Sequence, residues 1–311
     1  MTKGIKTITL SPAFDLHYQL DRFEIGRENS VTKAVKNVGG KGINTSRALT
    51  ANGVENTAYV ILGKENGEAF EDELKKENIS YVPFYGEGRI RENITLHHGG
   101  ETRICLDGFP PDGEMLSALG ACMLDHGVED CFVSFGGRIP KGLSVECVKA
   151  FLKRLGAAGA KLILDSQSLL PMDLREIGPH LIKPNGQEIR ELYGKQADSL
   201  EDAAKAARDL VQGGLSKEVM ISLGERGAVW SDGERCLAVR VPSLPDCSST
   251  IGAGDSMIAG YLAGSAAQLD IEKTLALAAA YGTAACMREG TLPPLPMDVR
   301  RILQNTPVFS I

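Results

Sequence analysis

Short apolar runs alternate with amphipathic segments along most of this chain, and no other feature restricts its fold as much. The first apolar run occupies 6–10 and ends at a Ser-Pro pair. Patterns typical of buried strands follow at 57–62, 81–84, 130–135, 161–165, 181–182 and 219–222, and helical patterns lie at 68–77, 114–125, 145–155, 186–193 and 200–212. This alternation predicts an α/β fold with a doubly wound, mostly parallel sheet and helices on both faces.

A different pattern, with apolar and polar residues in strict alternation, marks four further segments. They lie at 15–20, 30–35, 89–98 and 102–106, and the last two are joined by a Gly-Gly pair. Strands of this kind have one solvated face. We therefore predict a small β-sheet lid from residues 11–37 and 87–107, and a core from 1–10, 38–86 and 108–311.

The stretch 248–262 is the strongest candidate for chemistry. Its first part is small and glycine-rich, and its second part has a helical pattern, so the loop leads into a helix N-terminus. Backbone N–H groups there have no partner within the helix and bind anions. Asp255 stands at this point and would act as a general base toward a hydroxyl. The alternative is that Asp255 only caps the helix, because Asp is a preferred cap.

Other polar residues follow predicted strands, where ligands bind in sheets of this kind. Residues 38–44 lead into a helix that we expect to run through 45–49 and to end near Asn52. Asn185 and Glu188 follow another strand and could face a hydrated Mg²⁺, although a simple capping box explains the same spacing. Residues 222–227 either border a ligand or form only a turn that ends a strand.

Charge narrows the class of ligand. The formal net charge is −6, which argues against nucleic acid or an anionic membrane as a partner. Four cationic residues nevertheless fall around one expected cleft, where they would attract an anionic substrate; the alternative is that each is an ordinary solvated side chain. These residues are Arg27, Lys41, Arg91 and Arg138.

Several classes of protein are disfavoured because the sequence lacks their characteristic motifs. It has no P-loop pattern, no dinucleotide fingerprint after a strand and no nucleophile elbow. There is no apolar segment typical of a signal peptide or a membrane span. The seven cysteines include no C-x-x-C pair, and the five histidines no zinc-type spacing. We expect a cytoplasmic protein without a transition-metal site.

Six motifs in order resemble those of PfkB-type (ribokinase-like) carbohydrate kinases, over nearly the whole chain. They are Ser-Pro-Ala-Phe-Asp at 11–15, Gly-Gly-Lys-Gly-Ile-Asn at 39–44, Arg-Glu-Asn at 91–93, Lys-Pro-Asn-Gly-Gln-Glu at 183–188, Ser-Leu-Gly at 222–224 and Ile-Gly-Ala-Gly-Asp-Ser at 251–256. The second and last motifs most resemble the branch that contains 1-phosphofructokinase and tagatose-6-phosphate kinase. The resemblance implies a ribokinase-like fold and ATP-dependent phosphorylation of a sugar phosphate.

The resemblance also implies roles at matching positions. Asp255 would be the base, and Gly252, Ala253 and Gly254 would form the anion hole for the transferred phosphate of ATP. The residues implied to bind the sugar and its phosphate are Asp15, Arg27, Gly39, Gly40, Lys41, Asn44, Arg91 and Arg138. ATP would contact Asn185, Ser222, Gly224, Gly227 and Gly254. Mg²⁺ would be ordered by Asn185 and Glu188 through water, and Ser249 and Ile251 match positions that bind a monovalent cation such as K⁺ in some relatives.

The sequence departs from the family pattern in three places. Ser11 replaces the usual Asn, His17-Tyr18 is unusual, and Arg138 stands where relatives have a small hydroxyl residue. An added arginine favours a phosphorylated substrate. The leading expectation is a kinase of fructose 1-phosphate; the alternatives are a tagatose-6-phosphate kinase, a kinase of an unphosphorylated sugar or nucleoside, and a non-catalytic sugar-phosphate sensor. A homodimer formed through the lid is also expected.

Overall fold

The computed structural model describes residues 4–244 and 247–311. In these ranges the strands are β1 (Ile5–Thr9), β2 (Ala13–Gln19), β3 (Lys33–Gly39), β4 (Thr57–Gly63), β5 (Tyr81–Gly86), β6 (Arg91–His97), β7 (Glu101–Cys105), β8 (Phe132–Gly136), β9 (Lys161–Asp165), β10 (Leu181–Ile182), β11 (Glu218–Ser222), β12 (Ala228–Ser231), β13 (Cys236–Val239) and β14 (Val308–Ser310). The helices are α1 (Lys41–Ala51), α2 (Gly67–Lys76), α3 (Gly113–Asp125), α4 (Val145–Ala157), α5 (Pro171–Ile177), α6 (Gly186–Tyr193), α7 (Leu200–Gln212), α8 (Ala253–Ala266), α9 (Ile271–Ala285) and α10 (Pro296–Leu303).

The main sheet confirms the predicted doubly wound α/β architecture. Its strand order is β14-β13-β12-β11-β10-β9-β8-β1-β4-β5, and the neighbours from β11 to β5 pair in parallel. The chain moves from β1 to β4 and β5 on one side and to β8 on the other. Ligands bind at such a reversal, outside the carboxyl ends of the strands. The strands β12, β13 and β14 pair antiparallel at one edge of this sheet and were not predicted from the sequence.

A separate four-stranded sheet has the order β3-β2-β6-β7 and confirms that the alternating segments form a small sheet of their own. One strand differs from its predicted position: β3 covers Lys33–Gly39 instead of 30–35. Its register with β2 pairs Ala13 with Gly39 and Gln19 with Lys33, so the strand extends up to the glycine pair. The function of this sheet as a lid, and the division into two domains, remain predictions.

Helix α1 begins four residues earlier than predicted. Gly40 is its N-cap with φ 128°, and the N–H of Asn44 donates to the Gly40 carbonyl at 2.8 Å. A methyl group on Gly42 would lie 2.4 Å from the carbonyl oxygen of Ile8, so only glycine allows the first turn to pack against β1. Residues 41–44, which were expected only to lead into the helix, form its first turn, because this close packing outweighs the low helix propensity of glycine.

Helix α8 confirms the predicted helix after the glycine-rich stretch, and it lies in the core. Residues Asp255–Gly264 are all buried, so the helix has no solvated face in this stretch. It packs against α9, where a methyl group on Gly260 would lie 2.7 Å from the Ala278 Cα. A helix held this closely presents a fixed N-terminus. None of the helices within the described residues is both long enough and apolar enough to cross a membrane.

Candidate active site

Asp255 lies in the first turn of α8 but does not cap it. The N-cap is Gly252, which has the left-handed conformation with φ 77° and no side-chain capping bond. The Asp255 carboxylate points to another helix, where its Oδ2 accepts a hydrogen bond from Asn44 Nδ2 at 2.8 Å. The capping alternative is therefore wrong for this residue. Asp255 is only 6% exposed and directly follows Ala253 and Gly254, the first two residues of α8.

The environment of Asp255 suits a general base. Burial raises its pKa to about 6; Lys41 opposes this shift, Asp165 adds to it, and the hydrogen bond from Asn44 also opposes it. A group with a pKa just below neutrality is mostly ionised at pH 7 yet accepts a proton more readily than an ordinary carboxylate. Of the predicted residues, Asp255, Lys41 and Asn44 are brought together here.

Asp165 connects two lysines at the carboxyl ends of the central strands. Its Oδ2 lies 2.8 Å from the Lys41 Nζ and 3.7 Å from the Lys183 Nζ, and Asp165 and Lys183 are each 4% exposed. Burial alone would raise the pKa of Asp165, but Lys183 and Lys41 together hold it below its ordinary value. Burial alone would lower the pKa of Lys41, but Asp165 and Asp255 outweigh burial and raise it. The Asp165 carboxylate and the Lys41 ammonium therefore both remain charged near neutrality.

Lys183 also lies against the first turn of α8. A methyl group on Gly254 would be 3.2 Å from the Lys183 Nζ. The ammonium and the helix N-terminus thus produce a positive potential at one place, next to the Asp255 carboxylate. Asp165 ends a buried strand and Lys183 follows one, a position at which ligands bind in such sheets, but the sequence predicts no specific role for either residue.

The expected sugar-binding residues meet where β2, β3 and β6 approach α1. The Asp15 Oδ1 accepts a hydrogen bond from Asn93 Nδ2 at 2.8 Å. A methyl group on Gly39 would lie 2.5 Å from the Asp15 Oδ2, and one on Gly40 would lie 2.6 Å from the Thr9 Cγ2. Gly39 thus lets the backbone approach Asp15 closely, and Gly40 lets it approach Thr9. Asn93 belongs to the Arg-Glu-Asn motif at 91–93, but the sequence predicts no role for it.

The cationic residues are placed differently from one another. Arg91 is half-buried, and its Nε and Nη2 lie 3.4 and 3.5 Å from the carbonyl oxygens of Pro12 and Ser11. Arg138 is exposed after β8, next to Gly137, whose N–H donates to the Asp165 carbonyl at 3.0 Å. Arg27 lies in the exposed β2–β3 connection, and its side chain forms no hydrogen bond with the other candidates in the part of the chain described.

Asn185 and Glu188 form the capping box that was considered as the alternative. The Glu188 N–H donates to Asn185 Oδ1 at 2.9 Å, and the Asn185 N–H donates to Glu188 Oε2 at 2.8 Å. The other carboxylate oxygen of Glu188 accepts from Gln167 Nε2 at 2.7 Å, so the carboxylate is fixed in orientation. The Ser222 N–H donates to the Pro184 carbonyl at 3.2 Å, which places Ser222 beside this helix start.

Two glycines shape the turn after β11. Gly224 and Gly227 have φ values of 62° and 99°, which favour glycine. A methyl group on Gly227 would lie 1.9 Å from the Val239 carbonyl oxygen, so the turn lies directly against β13. This leaves an open backbone surface beside Ser222, at the carboxyl edge of the sheet.

The donor set fits a weakly held divalent cation. Among the described residues, no group of three or more His, Cys, Asp or Glu side chains could hold a metal ion. Mg²⁺ commonly keeps several waters and uses one or two carboxylates together with substrate phosphates. Glu188 has one lone pair left on each carboxylate oxygen after its two hydrogen bonds, which is compatible with contact through water.

The positions matched to a monovalent cation lie in the loop before α8. The Ser249 N–H lies 3.3 Å from the Cys286 carbonyl oxygen, and the Ile251 N–H donates to Ser249 Oγ at 3.1 Å. The loop is thus attached to the end of α9. Binding of K⁺ there remains a prediction.

Comparison with known proteins adds independent evidence. The sequence pattern of the pfkB family carbohydrate kinases matches residues 9–298. The chain is 32% identical to 1-phosphofructokinase of Escherichia coli strain K12, with 92% of this chain and 91% of that protein covered. It is 31% identical to 1-phosphofructokinase of Haemophilus influenzae, with 89% of each chain covered.

A solved structure agrees with the fold. The crystal structure of phosphofructokinase-2 from Escherichia coli in complex with potassium superposes with a TM-score of 0.89 at 27% identity, and covers 97% of this chain and 98% of that one. The similarity therefore extends over both the large and the small sheet.

Proposed function

The chain belongs to the pfkB family of carbohydrate kinases, phosphotransferases with a hydroxyl acceptor, and from this we propose that it phosphorylates fructose 1-phosphate to fructose 1,6-bisphosphate with ATP. The observation that carries the proposal is Asp255, a buried carboxylate beside the N-terminus of α8 and within reach of two lysines. The proposed acceptor follows from the 1-phosphofructokinases to which the chain is similar.

In the proposed mechanism, Asp255 takes the proton of a primary hydroxyl, and the resulting nucleophile attacks the γ-phosphate in line. The bond between the γ-phosphorus and the bridging oxygen breaks, and ADP leaves. Backbone N–H groups of Gly252, Ala253 and Gly254 and the Lys183 ammonium face the place where negative charge accumulates. Phosphoryl transfer depends mostly on positioning and charge stabilisation, and these groups would supply both. Asn44 orients the base toward the acceptor.

The sugar phosphate would lie between the small sheet and α1. Asp15, Gly39, Gly40 and Asn44 would bind its hydroxyls, with Asn93 fixing the Asp15 carboxylate. Its phosphate would be bound by the cationic residues described above. Those residues are Lys41, Arg91, Arg138 and Arg27. For Arg27 to reach the phosphate, the segment that connects β2 and β3 would have to move.

ATP would lie along the carboxyl edge of β10 and β11. Ser222, Gly224 and Gly227 would border the nucleoside, and Asn185 the phosphates. Glu188 and Asn185 would hold Mg²⁺ through water, where the ion would neutralise phosphate charge. Ser249 and Ile251 would bind K⁺ behind the anion hole.

The decisive experiment is an ADP-release assay over a panel of acceptors at equal concentration. The panel contains fructose 1-phosphate, fructose 6-phosphate, tagatose 6-phosphate, fructose and ribose. We expect the highest kcat/KM with fructose 1-phosphate. A preference for tagatose 6-phosphate or for an unphosphorylated sugar would replace the proposed substrate, and no ADP release with any acceptor would favour a sensor.

We also propose that the enzyme works in the cytoplasm as a homodimer assembled through the small sheet. None of the cysteines within the described residues forms a disulfide bond, which fits a reducing compartment. Large apolar side chains are exposed in the lid segments, and covering them would favour self-association. These side chains are Phe23, Ile25, Val31, Ile104 and Leu106.

A further inference from the structure

Arg47 is a buried arginine on α1, one turn after Asn44, and its side chain is only 3% exposed. Its Nη2 donates to the Val38 carbonyl at 2.6 Å, and its Nη1 lies 3.4 Å from the Thr291 carbonyl oxygen and 3.5 Å from Asn44 Oδ1. Its Nε pairs with the Glu77 carboxylate. A buried guanidinium is tolerated when its donors are satisfied in this way.

The two carbonyl partners belong to segments that form the candidate site. Val38 immediately precedes Gly39, which packs on Asp15. Thr291 packs against Gly252, the N-cap of α8, since a methyl group on Gly252 would lie 3.7 Å from the Thr291 Cα. One guanidinium therefore connects the end of β3, helix α1 and the segment that packs against the N-cap of α8.

The third contact decides which way the Asn44 amide faces. A guanidinium has donors only, so it favours the amide oxygen of Asn44 on its own side. The amide NH₂ then faces the Asp255 carboxylate, to which it donates at 2.8 Å. With the amide reversed, the oxygen would face a carboxylate and the NH₂ would face a cation, and both contacts would be repulsive. The Asn44 bond opposes the rise of the Asp255 pKa.

We propose that Arg47 is a positioning residue of the phosphoryl-transfer site, which fixes the Asn44 amide so that it donates to the Asp255 carboxylate. This inference rests on the proposed role of Asp255 as general base. Arg47 acts through Asn44 and touches neither substrate in the proposed arrangement.

The test compares the pH dependence of kcat/KM in Arg47→Lys and in the native enzyme. Lysine keeps the positive charge but has a single nitrogen, which cannot serve Val38, Thr291 and Asn44 together. We expect the acid limb to move upward by about one pH unit, since a hydrogen bond to a charged group is worth about one pKa unit. At pH 6 this corresponds to a loss of about fivefold to tenfold.

Glu77→Gln is the matched control. It weakens the ion pair at the Arg47 Nε but leaves the contacts of both Nη atoms, so it lowers thermal stability without moving the acid limb. A purely structural Arg47 would make the two variants alike in their pH profiles, which would overturn the proposal.

A double variant tests whether Arg47 acts through Asn44. Asn44→Ala alone should also raise the acid limb, and adding Arg47→Lys should then cause no further shift. Additive shifts would overturn the proposal. Should Arg47→Lys fail to fold, Arg47→Gln replaces it, and failure of both would show a structural residue and would equally overturn it.

The variant Asp255→Asn distinguishes failure of the proposed function from failure of the Arg47 proposal alone. Near-normal turnover in Asp255→Asn would refute the general base and hence the proposed function. Loss of turnover in Asp255→Asn together with an unmoved acid limb in Arg47→Lys would refute the Arg47 proposal alone.

Discussion

Asp255 lies in an environment that raises the pKa of its carboxyl group and thereby costs stability. It is 6% exposed, and burial is the main reason that its pKa rises to about 6. A group whose pKa is higher in the folded than in the unfolded state lowers stability as the pH rises between the two values. For Asp255 this loss begins near pH 4 and is complete above about pH 6.

Replacing Asp255 by asparagine should separate activity from stability. We expect turnover to fall by about 10²–10⁴-fold, because a positioned base is lost. The free energy of unfolding should rise by about 1–3 kcal/mol at pH 7.5, with little gain at pH 4. Steady-state ADP release and urea unfolding at the two pH values measure both effects. A variant that is inactive but no more stable at pH 7.5 would contradict the role of burial.

The native enzyme should lose kcat/KM as the pH falls through about 6, since protonated Asp255 cannot act as a base. The profile is measured between pH 5 and 8 with the enzyme kept folded, as checked by circular dichroism. An acid limb below pH 5 would mean that the essential group is a carboxylate of ordinary pKa.

Arg91 lies at the edge of the expected sugar-phosphate site. Arg91→Ala should raise the KM for the sugar phosphate by about tenfold and lower kcat less, because the contact is made in both ground and transition states. Arg154→Ala, which removes an exposed arginine from α4, is the control and should change neither constant. An unchanged KM in Arg91→Ala would place the substrate phosphate elsewhere.

For individual residues, the sequence predicted some members of the candidate site and missed others. The motif around Asp255 and the Asn44 position could be proposed because each stands in a short local pattern. The contact between Asp165 and Lys183 was not predicted, since the two residues are 18 positions apart in sequence and only the sheet brings them together.

Among the helices and strands, α1 shows that close packing can determine where a helix begins despite low helix propensity. Its first turn contains Gly42, whose position against the Ile8 carbonyl no side chain can share. A prediction from propensity therefore placed the helix start too late. The antiparallel strands β12–β14 were missed for a related reason: they are only three or four residues long, too short for a periodic signal.

Gly42→Ala should destabilise the protein by about 2–4 kcal/mol, because the added methyl group would displace backbone rather than a flexible side chain. It should also reduce kcat, since the shift of α1 moves Asn44. Gly156→Ala in α4 is the matched control, because its methyl group would meet Leu162 Cδ1 at an ordinary 3.5 Å. Thermal unfolding compares the two; equal effects would show that Gly42 has no special constraint.

For the whole molecule, the overall sheet and the small second sheet could be predicted because both depend on periodicity repeated over many segments. Periodicity does not predict how two copies of this chain associate. Ile104, on β7, is 48% exposed although it is large and apolar.

Ile104→Lys should shift the proposed homodimer to monomer, because a charge would enter an interface that depends on apolar burial. Met172→Lys on α5 is the control, since Met172 is 71% exposed and lies outside the small sheet. Light scattering after size-exclusion chromatography gives the mass directly. A native monomer, or a dimer insensitive to Ile104→Lys, would rule out assembly through this sheet.

The shared carboxylate of Asp165 has a consequence for how the two substrates meet. A phosphate that draws Lys41 away leaves Asp165 to neutralise Lys183 alone, so a ligand on one side of the cleft alters the field on the other. Thermodynamic linkage requires this influence to be mutual. Calorimetric titration of sugar phosphate with and without a non-hydrolysable ATP analogue should therefore give two different affinities, and Asp165→Asn should bring them closer together.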